Sequence, residues 1–204
     1  MPSKAVQAHY RAGQASAVDE PFVALNGHTI HTRLICPDDD DLLLDLFDHL
    51  SPETRWRRFH AHMENLDPAR LLEAAKTLAA VDNRTQGGAV LALIPGTDGP
   101  GGETLIGVAR IARLPDDPDA PEAEAAIVVR DDWQQQGIGT ALLARLTLLA
   151  HEMGVHTLVA TVQADNDKML EVLRWLNLPI QEQISHGEME IRMDISHLRE
   201  TIGG

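Results

Sequence analysis

Residues 122–143 read Glu-Ala-Glu-Ala-Ala-Ile-Val-Val-Arg-Asp-Asp-Trp-Gln-Gln-Gln-Gly-Ile-Gly-Thr-Ala-Leu-Leu. The segment 123–130 is short, apolar and rich in β-branched types, as a buried strand is. A polar turn, Arg130 to Gln136, follows it. Gly137 and Gly139 then open a helix whose apolar positions are Ile138, Leu142, Leu146, Leu149 and Met153, spaced by four, four, three and four. Such spacing keeps one face against a sheet. Gly154 stands where a glycine ends a helix.

Strand, glycine turn and helix start together suit an anion. The first N–H groups of a helix have no internal partner, and the helix dipole adds partial positive charge beside them. Glycines let a bulky diphosphate approach the backbone closely. The same glycines also suit a ligand-free tight turn that packs helix on strand. A dinucleotide site of the G-x-G-x-x-G kind is set aside, because Leu142 occupies its third small position and residues 131–136 separate the strand from the glycines.

The run Gln134-x-x-Gly137-x-Gly139, followed by Thr140-Ala-Leu-Leu, resembles the acyl-CoA pyrophosphate loop of the GCN5-related N-acetyltransferases (GNAT). A second strand, His156 to Gln163, leads to Asn166 and a further helix in that family's order. Two segments are similar to the GNAT domain of bacterial protein-lysine acetyltransferases: Leu50-Ser51-Pro52-Glu53-Thr54-Arg55, and Ala123-Glu124-Ala125-Ala126 with its early strand glutamate. The likeness covers residues 22–194 and is densest over 122–176.

This resemblance implies an α/β GNAT fold, a mixed and mostly antiparallel sheet flanked by helices, whose splayed central strands hold acyl-CoA. It implies acetyl-CoA as co-substrate, with pyrophosphate donors from Gln134, Gln135, Gln136, Gly137, Ile138, Gly139 and Thr140. Val129 is expected to pair with pantetheine, an oxyanion donor to lie near Val128 or Val129, and Asn166 either to touch the cofactor or to cap its helix. A primary amine, a protein lysine above all, is the implied acceptor. A small amine or polyamine is the alternative acceptor, and a non-catalytic acyl-CoA sensor the alternative function.

An amine acceptor arrives as an ammonium of pKa about 10.4 and must lose a proton before attacking a thioester. Glu124, at the matching position of the lysine acetyltransferases, is the candidate general base, with partial burial expected to tune it. Glu122 is expected to lie in the preceding loop. Cys36 has no evident His–acid partner, so a covalent acyl-enzyme is not expected. The chain departs from the family at two places. Leu173 stands near the position of the usual tyrosine acid, the only tyrosine being Tyr10, and Asn177-Leu178 replace the usual Gly-Phe.

The chain has 204 residues and a net charge of −14. The length suits one domain, expected over 21–195, between a mobile tail at 1–20 and a short one at 196–204. The acidity argues against nucleic acid. One cysteine permits no internal disulfide or cysteine-based metal site, and His60 and His62 lack further ligands, so no metal is expected. With no long apolar run and no signal-like N-terminus, the expectation is a cytoplasmic protein off the membrane, monomer or homodimer.

Upstream, Asn26-Gly27 marks a hairpin of the two-residue type. Asp38 to Asp41, Ser51-Pro52 and Asp67-Pro68 each mark a helix start. The second of these helices carries Arg55, Arg57 and Arg58, either as a solvated face anchored by Trp56 and Phe59 or as contacts to acceptor or cofactor phosphates. Strands near 87–94 and 104–114 precede Glu124, and a last hairpin turns at His186-Gly187.

Overall fold

The computed structural model describes residues 18–59, 67–96, 102–113, 117 and 119–196. His60, His62, Tyr10 and most of the two expected tails lie outside the described residues. The strands are β1 Phe22–Val23, β2 Thr29–Leu34, β3 Gly87–Pro95, β4 Glu103–Ala112, β5 Glu122–Val129, β6 Thr157–Gln163, β7 Ile180–Ser185 and β8 Glu188–Asp194. They form one sheet in the order β1-β2-β3-β4-β5-β6-β8-β7. Only β5 and β6 run parallel, as a crossover through a helix requires. The other neighbours are antiparallel.

The helices are α1 Asp40–Asp48, α2 Pro52–Phe59, α3 Pro68–Ala79, α4 Ile138–Glu152 and α5 Asp167–Trp175. Helices α4 and α5 cover one face, where Ala123, Ala125 and Ile127 of β5 meet Leu142, Leu146 and Leu173. The other face carries α1 and α3 over Ala89, Leu91, Leu105 and Val128. Period-two alternation therefore sets Glu124, Ala126 and Val128 on the α1–α3 side of β5. Helix α4 is buried beyond its expected stripe, Leu143, Ala144, Arg145 and Thr147 included, because the first strands and the chain before β1 wrap its far side.

Several expectations change. The first hairpin has a five-residue connection, since β1 pairs Val23 with Thr29. Leu25 N–H leaves the ladder to donate to Gln136 C=O at 3.1 Å. Residues 18–20 are held, not loose: Thr32 Oγ1 donates to Val18 C=O at 2.7 Å and Arg145 Nη2 to Glu20 C=O at 2.6 Å. Asp39 precedes α1 without capping it and binds Arg33 instead. Trp56 is 36% exposed and anchors no core, while Phe59 packs on Phe47 with ring centroids 5.9 Å apart. Among the described residues no helix is long and apolar enough to cross a membrane, and no cluster of His, Cys, Asp and Glu is fit for a metal.

Candidate active site

Strands β5 and β6 pair only at Glu122–Thr157, Ala123–Leu158 and Glu124–Val159, and past Glu124 they part. The phase of the ladder decides what β5 presents to the gap. Arg130 N–H donates to Ile106 C=O across to β4, and Thr157 N–H donates to Pro121 C=O from β6. Backbone groups alternate in direction along a strand. Even-numbered residues of β5 therefore bond to β4, and odd-numbered ones face β6. Val128, one of two expected oxyanion donors, spends its N–H on β4, where it stands opposite Val108. Val129 faces the gap. So does Ile127, which sequence reasoning missed because phase depends on the register with β4.

The turn after β5 is locked from three sides. Residues Asp131–Trp133 form one 3₁₀ turn. Gln134 Nε2 donates to Val129 C=O at 3.2 Å, leaving the Val129 N–H as that residue's open group toward the gap. Gln136 C=O takes the Leu25 N–H, and His28 meets Trp133 edge-on with centroids 5.3 Å apart. Gln135 and Gly137 have φ of 59° and 81°, so the chain makes two left-handed steps into α4. Ala141 N–H bonds to Gly137 C=O at 3.0 Å. The N–H groups of Ile138, Gly139 and Thr140 are thus the donors of the first turn that no helical carbonyl satisfies. The Ile138 and Thr140 side chains are buried, so these residues offer backbone only. A Cβ built on Gly139 meets nothing nearer than Val172 Cγ2 at 3.8 Å.

Helix α2 spans the parted strands. At one end, Ser51 N–H, Ser51 Oγ and Thr54 Oγ1 donate to Asp131 at 2.8, 2.8 and 2.7 Å. Partial burial pushes the Asp131 carboxyl up, but these bonds outweigh it and hold its pKa below the usual value. Along the helix, Arg57 bonds Glu53 at 3.0 Å and Asp165, beyond β6, at 3.2 Å. The three arginines of α2 thus divide. Arg55 lies over Phe47 at 4.1 Å and bonds Phe47 C=O, a structural role. Arg57 bridges to the β6 end. Arg58 lies with its guanidinium 5.2 Å from the Phe59 ring centroid, within electrostatic reach of Arg110 and Glu124.

Glu124 is exposed, where partial burial was expected. Its neighbour Glu122 is the first residue of β5, not a loop residue, and its carboxylate pairs with Arg192 of β8. Asn166 caps α5, its Oδ1 accepting Met169 N–H at 3.3 Å, which leaves its Nδ2 for a ligand. Leu173 is 2% exposed and lies in the core.

A parallel strand pair that opens beside the N-terminus of a glycine-started helix is the arrangement the sequence implied. The sequence profile of the Acetyltransferase (GNAT) domain matches residues 31–178. The chain belongs to the GNAT acetyltransferases. This GNAT chain is 31% identical over 154 residues to Acetyltransferase Pat of Mycolicibacterium smegmatis, covering 75% of this chain and 42% of that one. It therefore spans less than half the length of that relative. The GNAT domain of S. lividans PAT superposes with a TM-score of 0.73 at 24% identity, over 88% of this chain and 98% of that one. The yncA structure from Salmonella typhimurium, solved with its cofactor acetyl-CoA, superposes with a TM-score of 0.55 at 17% identity, over 81% of this chain and 94% of that one.

Proposed function

We propose that this GNAT acetyltransferase moves an acetyl group from acetyl-CoA to a primary amine, a protein lysine in the first instance, by direct attack. The observation that carries the proposal is the parting of β5 and β6 after Glu124, next to the open first turn of α4. The N–H groups from Gln135 to Thr140 hold the pyrophosphate, and the gap-facing backbone of Ile127 pairs with the pantetheine arm. Val129 N–H stabilises the oxyanion that develops on the thioester carbonyl. Glu124 removes the ammonium proton, directly or through one water. The amine nitrogen bonds to the acetyl carbon, the carbon–sulfur bond breaks, and CoA leaves as thiolate. With Leu173 buried at the usual tyrosine position, that thiolate takes its proton from water. The resemblance to protein-lysine acetyltransferases supports the acceptor.

The test is calorimetric titration with acetyl-CoA, then thiol release with a lysine peptide and a polyamine. Glu124→Gln should keep the fold and lower kcat/KM by about 10²–10⁴, the range of general base catalysis. Absence of acyl-CoA binding would sink the proposal. Binding without turnover on any amine would favour the sensor, the reading that the buried Leu173 recommends.

A further inference from the structure

On the α1–α3 side of the sheet lies an apolar cavity of about 110 Å³, roofed by α1 and α3 and floored by Val108, Ala126 and Val128. Among the described residues two charged ones line it, Arg58 from α2 and Arg110 from β4. Arg110 stands opposite Ala126 in the ladder, beside the stretch of β5 that borders the gap. The cavity is thus bordered by the strand along which an acyl thioester would lie. Its volume is of the order that holds a small organic molecule, the benchmark being a cavity of roughly 150 Å³ that takes benzene.

Arg58 lies 5.2 Å from the Phe59 ring centroid, whereas Arg110 lacks what other withdrawn arginines of this chain have. Arg113 donates to the carbonyls of Ala120, Thr85 and Met153 at 2.9, 2.6 and 2.6 Å. Arg145 donates to Thr32 Oγ1, Ala141 C=O and Glu20 C=O at 3.1, 3.1 and 2.6 Å. Arg110 Nε is buried with no hydrogen-bond partner, although buried donors are nearly always satisfied. Burial pushes the Arg110 pKa down, and burial together with Arg110 does the same to Arg58; Glu124 opposes both. Two guanidiniums within the electrostatic reach of one carboxylate leave one positive charge over. Among the described residues no other acid answers it.

We propose that Arg58 and Arg110 form a carboxylate site at the mouth of this cavity, and that it reads the terminal carboxylate of a short dicarboxylic acyl group on the CoA donor. The inference rests on the acyl-CoA reading above and adds donor specificity to it. Ala126, small and only half-buried, stands between Glu124 and Val128 and opposite Arg110. A planar guanidinium matches a carboxylate with two parallel bonds. In transfer the amine nitrogen bonds to the thioester carbon and the carbon–sulfur bond breaks as with acetyl. The distal carboxylate takes no part in bond making.

The experiment is calorimetric titration of the full chain with acetyl-, butyryl-, succinyl- and glutaryl-CoA. Succinyl- or glutaryl-CoA is expected to bind at least about tenfold more tightly than acetyl- and butyryl-CoA. In Arg110→Gln and Arg58→Gln that ratio should fall toward one, with thermal melting confirming the fold of each variant. A ratio near one in the wild-type chain overturns the inference without any variant. So does a preference that survives both substitutions, or one that butyryl-CoA shares. If instead the variants raise KM only for acceptors that carry a carboxylate, the site belongs to the acceptor and the inference is overturned. Failure of every acyl-CoA to bind removes the function proposed above, a different result from equal binding of all four.

Discussion

Asp131 accepts both the N–H and the hydroxyl of Ser51, each at 2.8 Å, and so fastens the start of α2 to the turn that follows β5. The pair joins residues 80 apart in sequence and holds the helix that crosses the parted strands. Asp131→Ala removes these bonds and the one from Thr54. Loss of a capping carboxylate of this kind costs ~1–2 kcal/mol. We expect a melting temperature lower by a few degrees and weaker acetyl-CoA binding, because the turn loses its anchor to α2. Asp131→Asn, which retains an acceptor, should recover part of both. Unchanged binding in the alanine variant would mean that α2 has no part in shaping the cofactor site.

Gly137 and Gly139 should separate stability from binding. Gly137 sits at φ 81°, where a Cβ is strained, so Gly137→Ala should destabilise by about 1 kcal/mol. Gly139 is helical, and its added Cβ finds ordinary contacts with Val172 and Val129 at 3.8 and 3.9 Å. Gly139→Ala should therefore leave stability unchanged or raise it by up to ~1 kcal/mol. Yet both variants should weaken acetyl-CoA binding if the diphosphate lies against this backbone. Denaturation and calorimetry on the same samples check it. A Gly139→Ala variant that is more stable and binds normally would show that the ligand does not approach closely there.

What was legible in the sequence was local. The β-branched run ending at Val129, the glycines at 137 and 139 and the four-four-three-four spacing that follows each act over a few residues, so pattern alone places strand, turn and helix. What was hidden depended on partners far along the chain. Glu122 joins β5 because Thr157 lies beside it and Arg192 meets its carboxylate. Whether Val128 or Val129 faces the gap follows from the Arg130–Ile106 bond, and no local pattern encodes it. The arginines of α2 looked alike in sequence. Their different destinations, Phe47, Asp165 and Arg110 with Glu124, exist only once three elements have met.

Arg145 illustrates a buried charge that the fold requires. It is 3% exposed, and its guanidinium lies 4.9 Å from the Phe22 ring centroid while bonding Thr32, Ala141 and Glu20. Arg145→Met would fill much of the space but leave the Glu20 carbonyl without this donor. We expect a loss of about 3 kcal/mol, within the range for breaking a buried polar cluster. Arg110→Met, by contrast, breaks no hydrogen bond at Nε and removes a buried charge, so it should leave stability level or higher. Urea unfolding of the two variants side by side measures the contrast. Equal losses would mean that Arg110 is as well satisfied as Arg145.

Acid should loosen the α1 end of the sheet through Asp39. Arg33 holds its two carboxylate oxygens at 2.7 and 2.8 Å, and the Cys36 N–H adds a third bond at 2.7 Å. Burial pushes the Asp39 carboxyl up, but the Arg33 and Cys36 bonds together exceed that effect and its pKa lies below 3.8. The folded state thus favours the ionised form more strongly than the unfolded chain does. Stability from this group is fully present above the unfolded value near pH 4 and is lost as pH falls through the lower folded value. At pH 7 Asp39→Asn should cost about 2 kcal/mol, the scale of hydrogen bonds to a charged group. The gap between wild type and variant should then narrow steadily below pH 4. Urea titrations at pH 7, 4 and 3 measure it, and a gap that stays constant to pH 3 would show that the Arg33–Asp39 pair contributes nothing to acid sensitivity.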